Sequence, residues 1–394
     1  MAERRRIDSI DWARGLVMVL MALDHCRDYF GDIRINPVDL DATTPALFAT
    51  RWVTHICAPA FVFLAGVAAA LYGAKCASKK QLARFLWTRG VWLLLLEFTV
   101  VYFAWTYTFA LNTWYVQVIA AIGVAMIALA GLVFLPRAVI AVVGVVIIAA
   151  HNLLDSIAPA DLGGMDWLWR LAHEGGVFTI ADSVTMVVLY PLLPWIGVIA
   201  LGYAAGPVFK QPRPSRQRFL TRCGLAAIVA FVVVRSINIY GDPGAWSTQD
   251  SFIMSVGSFL NCAKYPPSFL FLLMTLGPTL LILAAADRPP GFWGDKLIVL
   301  GRVPLFFYIV HLYAIHLVSR TYYLVVYGEF FSPMRALVAS GSVEDSFPSW
   351  YEASAHSLAL VYVFWAAIVV GLWPLCRWFG DVKQRSNSAW LSYF

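Results

Sequence analysis

Arg14 and His25 stand eleven residues apart in SIDWARGLVMVLMALDHCRDYF, a run otherwise apolar enough to lie in lipid. On an α-helix, eleven residues return to within about 20° of the starting azimuth and advance ~16 Å along the axis. One face of one helix therefore presents a guanidinium near one end and an imidazole near the other. A guanidinium is matched to phosphate oxygens, and an imidazole to proton transfer near neutrality. Asp28 lies one turn past His25, where it can hold a ring nitrogen. Asp24 points about 100° away, toward a neighbouring helix. Asp11 can pair with Arg14 along the same face. That pairing carries a plainer alternative, an ion pair seating the helix end at the membrane interface.

Six further histidines accompany His25: His55, His151, His173, His311, His316 and His356. His311 is the hardest to read as an interfacial anchor, because it lies deep in GRVPLFFYIVHLYAIHL. Anchoring at an interface is ordinarily the work of Trp and Tyr. The opposite end of the molecule is basic. Arg84 and Arg89 in ARFLWTRG follow Lys79 and Lys80, and Arg302 precedes the His311 segment. These cations are either topology signals or a phosphate site. Glu97, two turns beyond Arg89, is a buttress or a pathway residue. Ionisable groups in hydrocarbon are costly, which makes all of them candidates for function. Gly-rich phosphate loops, Gly-x-Ser-x-Gly elbows and two-His metal helices are absent from the sequence, and no metal is expected.

The elements that must position these groups follow from composition. The 394 residues are 60% hydrophobic and 13% charged, with a mean hydropathy of +0.72. Soluble domains carry roughly a quarter charged residues, so lipid must solvate much of the chain. That balance excludes a disordered chain, a coiled coil and a nucleic-acid-binding module. Ten apolar segments approach spanning length, at roughly 9–29, 52–73, 89–109, 115–134, 138–155, 184–206, 219–239, 267–286, 298–319 and 356–378. Their continuity predicts helices, since barrel strands would alternate and be shorter. The fold class expected is an all-α, polytopic integral membrane bundle of about ten transmembrane helices. With the N-terminus inside, nineteen of the 29 Lys and Arg fall in inner segments and fifteen of the 23 Asp and Glu outside. Both termini are then cytoplasmic. In that topology every histidine lies toward the outer side, predicting an outward-open polar chamber. The basic stretch KQPRPSRQR marks a hinge at 207–218 within a single domain over 1–394, or a patch for anionic headgroups. The six cysteines are scattered singly as packing residues. Gly202 and Gly206 have the spacing of a close helix crossing.

The opening run, TRWVTHICAPAFVFLAGVAAAL, SFLNCAKYPPSFLFLLMTLGP, LGRVPLFFYIVHL and the tail PLCRWFGDVKQRSNSAWLSYF together resemble bacterial proteins similar to the catalytic domain of heparan-alpha-glucosaminide N-acetyltransferase. A wider similarity joins these to the integral-membrane acyltransferases that acetylate cell-surface glycans. Those begin with an Arg-Gly-Leu run followed by a His, which Arg14-Gly15-Leu16 and His25 match. Their late Tyr-x-x-His resembles Tyr308 to His311, and their arginines near the third span resemble Arg84 and Arg89. Residues 29–50 contain no His, so the loop histidine proposed as catalytic in the heparan enzyme has no counterpart. The match to His25 runs through the wider superfamily.

The resemblance implies a multi-pass acyltransferase of the cell (inner) membrane, moving an acyl group, acetyl above all, from cytoplasmic acetyl-CoA to an extracytoplasmic glycan. Arg14, Arg84, Arg89 and Arg302 would bind the donor's phosphates. His25, oriented by Asp24 or Asp28, would be the general base, with His55 and His311 stabilising the oxyanion or completing a relay. The bilayer, acyl-CoA and the acceptor are the expected partners, and a homo-oligomer is left open. The rival reading is a transporter or flippase with Asp24, His25 and Glu97 as a proton path. It predicts internal duplication, and none is visible in the sequence.

Overall fold

A computed structural model describes residues 7–109, 112–180, 184–334, 336, 347–348, 350–351, 357–386, 388 and 391. His356, one of the histidines above, lies outside them. The chain is mostly helical, with little sheet. Among the described residues, seven helices are long and apolar enough to cross a membrane: Pro45–Gly73, Lys79–Thr106, Arg137–Leu154, Leu192–Lys210, Arg213–Ile237, Pro304–Tyr327 and Leu358–Arg385. The chain is thus a membrane protein. Val118–Leu132 and Phe269–Ala285 are apolar but shorter. The first helix, Asp8–Phe30, has the length, but carries Asp8, Asp11, Arg14, Asp24, Arg27 and Asp28.

Two compact units form. The larger comprises Met1–Ala13, His55–Phe98 and Ala110–Pro290, the smaller Arg14–Thr54, Thr99–Phe109 and Gly291–Phe394. The smaller holds most of α1 (Asp8–Phe30), then α2 (Pro45–Thr54), α5 (Tyr102–Thr106), α13 (Phe292–Arg302), α14 (Pro304–Tyr327) and the final long helix, α15 (Leu358–Arg385). The larger holds α3 (Cys57–Gly73), α4 (Lys79–Leu96), α6 (Val118–Leu132), α7 (Arg137–Ala150), the single turn α8 (Asp166–Trp169), α9 (Leu192–Ala205), α10 (Arg213–Ile237), α11 (Phe252–Leu260) and α12 (Phe269–Ala285).

In the larger unit, α3 crosses α9 so tightly that a Cβ on Gly202 would fall 2.1 Å from the Phe63 carbonyl oxygen, and one on Gly206 2.2 Å from Ala70 Cβ. This is the contact that the small-residue spacing predicts. α10 packs on α12 while turning Leu225, Val229, Val232 and Val233 outward. An exposed apolar face of that kind suits lipid. The 207–218 stretch lies inside this unit, as the turn Gly206–Lys210 followed by the start of α10.

Three segment assignments need correction. The expected spans at 115–134 and 184–206 both begin in strands: β1 (Thr113–Val116) pairs parallel with β3 (Val184–Val188), which pairs antiparallel with β2 (Gly176–Ile180). TWYV and VTMVV are rich in β-branched and aromatic residues, and a short apolar run does not reveal its period. The all-α expectation missed this small sheet. The expected span at 298–319 is two helices broken at Val303, because Pro304 has no N–H and biases the preceding residue toward extended backbone.

Candidate active site

α1 and α14 bring His25 and His311 together. His25 Nδ1 lies 2.8 Å from His311 Nε2, with the rings stacked at 5.0 Å between centroids and 14° between planes. The far nitrogen of His311, Nδ1, lies 2.8 Å from the Phe307 carbonyl oxygen one turn back on α14. A carbonyl can only accept, so Nδ1 of His311 carries the proton and donates it. In the neutral ring this leaves a lone pair on His311 Nε2. His25 Nδ1–H then donates to that lone pair, and the lone pair of His25 resides on Nε2. One backbone carbonyl thus fixes both tautomers and leaves His25 Nε2 the basic atom. His311 is fully buried and His25 half-buried. Trp105 of α5 meets His25 edge-on at 5.0 Å, and Tyr308 does so at 6.3 Å.

The carboxylates beside His25 serve the arginines. Asp24 accepts from Arg51 and from Thr54 Oγ1 at 3.0 Å, both on α2, and lies 3.3 Å from Arg27 Nη2. Asp28 accepts from Arg27 at 2.5 Å. Asp24 therefore meets the neighbouring helix its azimuth indicated, and the partner the structure gives His25 Nδ1 is His311, where the sequence suggested Asp24 or Asp28. A cavity of about 500 Å³ opens beside this network, lined by Arg27, Asp28, Asp32, Asn36 and Thr44 among others.

At the other end of α1, Arg14 Nη1 donates to the Gly301 carbonyl at 3.1 Å, in the last turn of α13. Gly15 explains how: a Cβ there would sit 1.9 Å from the Leu297 carbonyl oxygen. The missing side chain lets α1 lie on the backbone of α13, and Arg14 then satisfies a carbonyl orphaned at that helix end. Arg302 follows at once in the chain. Arg84, exposed, and Arg89, half-buried with its guanidinium 5.9 Å from the Phe85 ring centre, belong to the larger unit.

Of the remaining described histidines, His151 and His173 adjoin each other, with their ring centres 6.0 Å apart. His55, at the break between α2 and α3, is buried edge-on to Phe271 at 5.4 Å in the larger unit. His173 Nε2 meets Asp155 at 2.9 Å and His151 Nε2 meets the Pro267 carbonyl at 2.9 Å, also in the larger unit. His316, in the smaller unit, has Nδ1 2.9 Å from the Ala104 carbonyl and 3.3 Å from Tyr29 Oη. The buried carboxyl group of Glu97 accepts the Ala120 N–H at 2.8 Å in the first turn of α6, the contact a buttress would make. Arg51 and Trp105 escaped the sequence reading. Arg51 had a signal, a cation beside an apolar run while Asp24 pointed toward a neighbouring helix; Trp105 had none.

A family model described as heparan-alpha-glucosaminide N-acetyltransferase, catalytic, matches residues 6–241, more than half the chain. The chain belongs to this family. The matched stretch includes α1 with Arg14 and His25, while His311 and Arg302 lie beyond its end. No curated protein matches the chain.

Proposed function

We propose that the protein is a ten-span membrane acyltransferase that moves an acetyl group from cytoplasmic acetyl-CoA to an amine or hydroxyl of an extracytoplasmic glycan, in the cell (inner) membrane with both termini cytoplasmic. The seven long apolar helices, the two shorter ones and the charged α1 are the ten spans of this reading. The observation that carries the function is the His25–His311 pair, whose hydrogen bonding leaves a basic Nε2 on His25. Family membership supports acetyl transfer as the reaction.

In this reading His25 Nε2 takes the proton of the acceptor as its nitrogen or oxygen attacks the thioester carbonyl. The new bond forms, the carbon–sulfur bond breaks, and the proton leaves with the CoA thiol. His311 holds His25 in the productive tautomer and, by accepting its Nδ1–H, stabilises the imidazolium that His25 becomes, as the third member does in hydrolase triads. Asp24, Asp28 and Arg51 fix the α1–α2 contact beside the base. Arg14, Arg84, Arg89 and Arg302 are the candidates for the donor phosphates, and His55 for stabilising the oxyanion or completing a relay.

The test uses purified full-length protein with labelled acetyl-CoA and a panel of amino-sugar and neutral glycan acceptors. His25→Ala is expected to lower turnover by roughly 10²–10⁴-fold with donor binding retained. Arg84→Gln with Arg89→Gln is expected to raise the KM for acetyl-CoA with kcat little changed. Absence of both CoA binding and acyl transfer in the wild-type protein would sink this assignment.

A further inference from the structure

The first turns of α1 and α10 line one cavity of about 440 Å³, whose polar walls are Asp8, Ser9, Arg213, Arg216, Asp287 and Arg288. All belong to the larger unit. Arg216 is committed: Nε and Nη2 bind the two oxygens of Asp287 at 2.7 and 2.6 Å, and Nη1 donates to the Phe209 and Gln211 carbonyls. The side chains of Arg213 and Arg288 make no hydrogen bond or ion pair among the described residues, and both are exposed. With Arg216 neutralised by Asp287, two guanidinia face the single carboxylate of Asp8, so the cavity holds a surplus of positive charge.

A second observation points to a ligand. Ser9 is 3% exposed, yet its Oγ has no hydrogen-bond partner among the described residues. A buried hydroxyl ordinarily finds one. The first turns of α1 and α10 also leave backbone N–H groups without intrahelical acceptors and carry the positive ends of two helix dipoles.

We propose that this cavity binds a phosphate-bearing anion, held by Arg213 and Arg288, with the Ser9 hydroxyl donating to one of its oxygens. Two forked guanidinia and several fixed donors suit a group with three or four acceptor oxygens, and the volume admits more than a lone carboxylate. The anion comes either from a lipid headgroup or from a soluble phosphate. None of its lining residues is one of the donor arginines above, and the proposal does not rest on the acyl-transfer reading.

Thermal unfolding of the full-length protein in neutral detergent tests it. Inorganic pyrophosphate and short-chain phosphatidylglycerol are titrated separately, with short-chain phosphatidylcholine as the control whose phosphate is balanced by its own choline. The wild-type Tm rises with at least one anionic probe and not with the control. Arg213→Gln with Arg288→Gln, both at exposed positions, shifts the half-maximal concentration roughly tenfold or more upward, and Ser9→Ala shifts it less in the same direction. Stabilisation by phosphatidylglycerol alone assigns a lipid, and by pyrophosphate alone a soluble ligand. No rise with either anion, an equal rise with phosphatidylcholine, or a rise unchanged in the double variant overturns the proposal.

Discussion

His25 is useful only if its basic lone pair faces the acceptor, and the Phe307 carbonyl enforces that through His311. Replacing His311 by Ala removes the acceptor of His25 Nδ1–H and frees the ring to exchange tautomers. Turnover should fall by roughly 10²-fold or more while the KM for acetyl-CoA stays within a small factor; steady-state kinetics in both substrates checks this. At Gly15 the argument is steric. A methyl placed 1.9 Å from the Leu297 carbonyl oxygen meets backbone that cannot yield locally, so Gly15→Ala must push α1 away from α13 and draw Arg14 off Gly301. The expected outcome is a loss of about 2–4 kcal/mol, in the range of strong overpacking, read as a drop in Tm and in yield of folded protein. Arg14-Gly15 is then a unit: the glycine sets the distance that the arginine spans.

At the scale of elements, helix ends are where this chain buries its polar groups. Glu97 serves the start of α6, Arg14 the end of α13, and Arg235 ties the end of α10 to the loop that follows. Arg235 is 2% exposed and donates to the carbonyls of Gly244, Ser258, Phe259 and Asn261, with Asp242 3.7 Å away. Substitution by Leu leaves those carbonyls and Asp242 without their cation. Arg235→Leu should destabilise the protein by about 3–5 kcal/mol, measured as a lowered Tm, with proteolysis concentrated at 240–262. The small sheet belongs to the same scale. β1 and β3 are far apart in sequence and pair in register from Thr113 with Thr185 to Val116 with Val188, so neither strand declares itself in its own apolar run.

For the molecule as a whole, topology is open to chemical labelling. Cys76 is partly exposed in the turn between α3 and α4, whereas Cys262 is 3% exposed, with burial and the nearby Asp242 carboxylate pushing its thiol up to about 12. Cys262 is therefore protonated and shielded at neutral pH, and only thiolates alkylate readily. In right-side-out vesicles a membrane-impermeant maleimide should label neither. In inverted vesicles it should label Cys76, and Cys262 should react only after unfolding. Labelling of Cys76 from the outer side would reverse the orientation. By itself the sequence determined that lipid is the solvent, where most helices run, and that Arg14 and His25 share a helix face, because composition and a 3.6-residue period are local properties. Tertiary structure alone decided that His311 completes the pair, that Asp24 meets Arg51, and that two apolar runs open as strands. His311 lies 286 residues from His25, Arg51 lies 27 from Asp24, and Thr113 pairs with Thr185, and no local periodicity encodes which distant atom will fill a hydrogen bond.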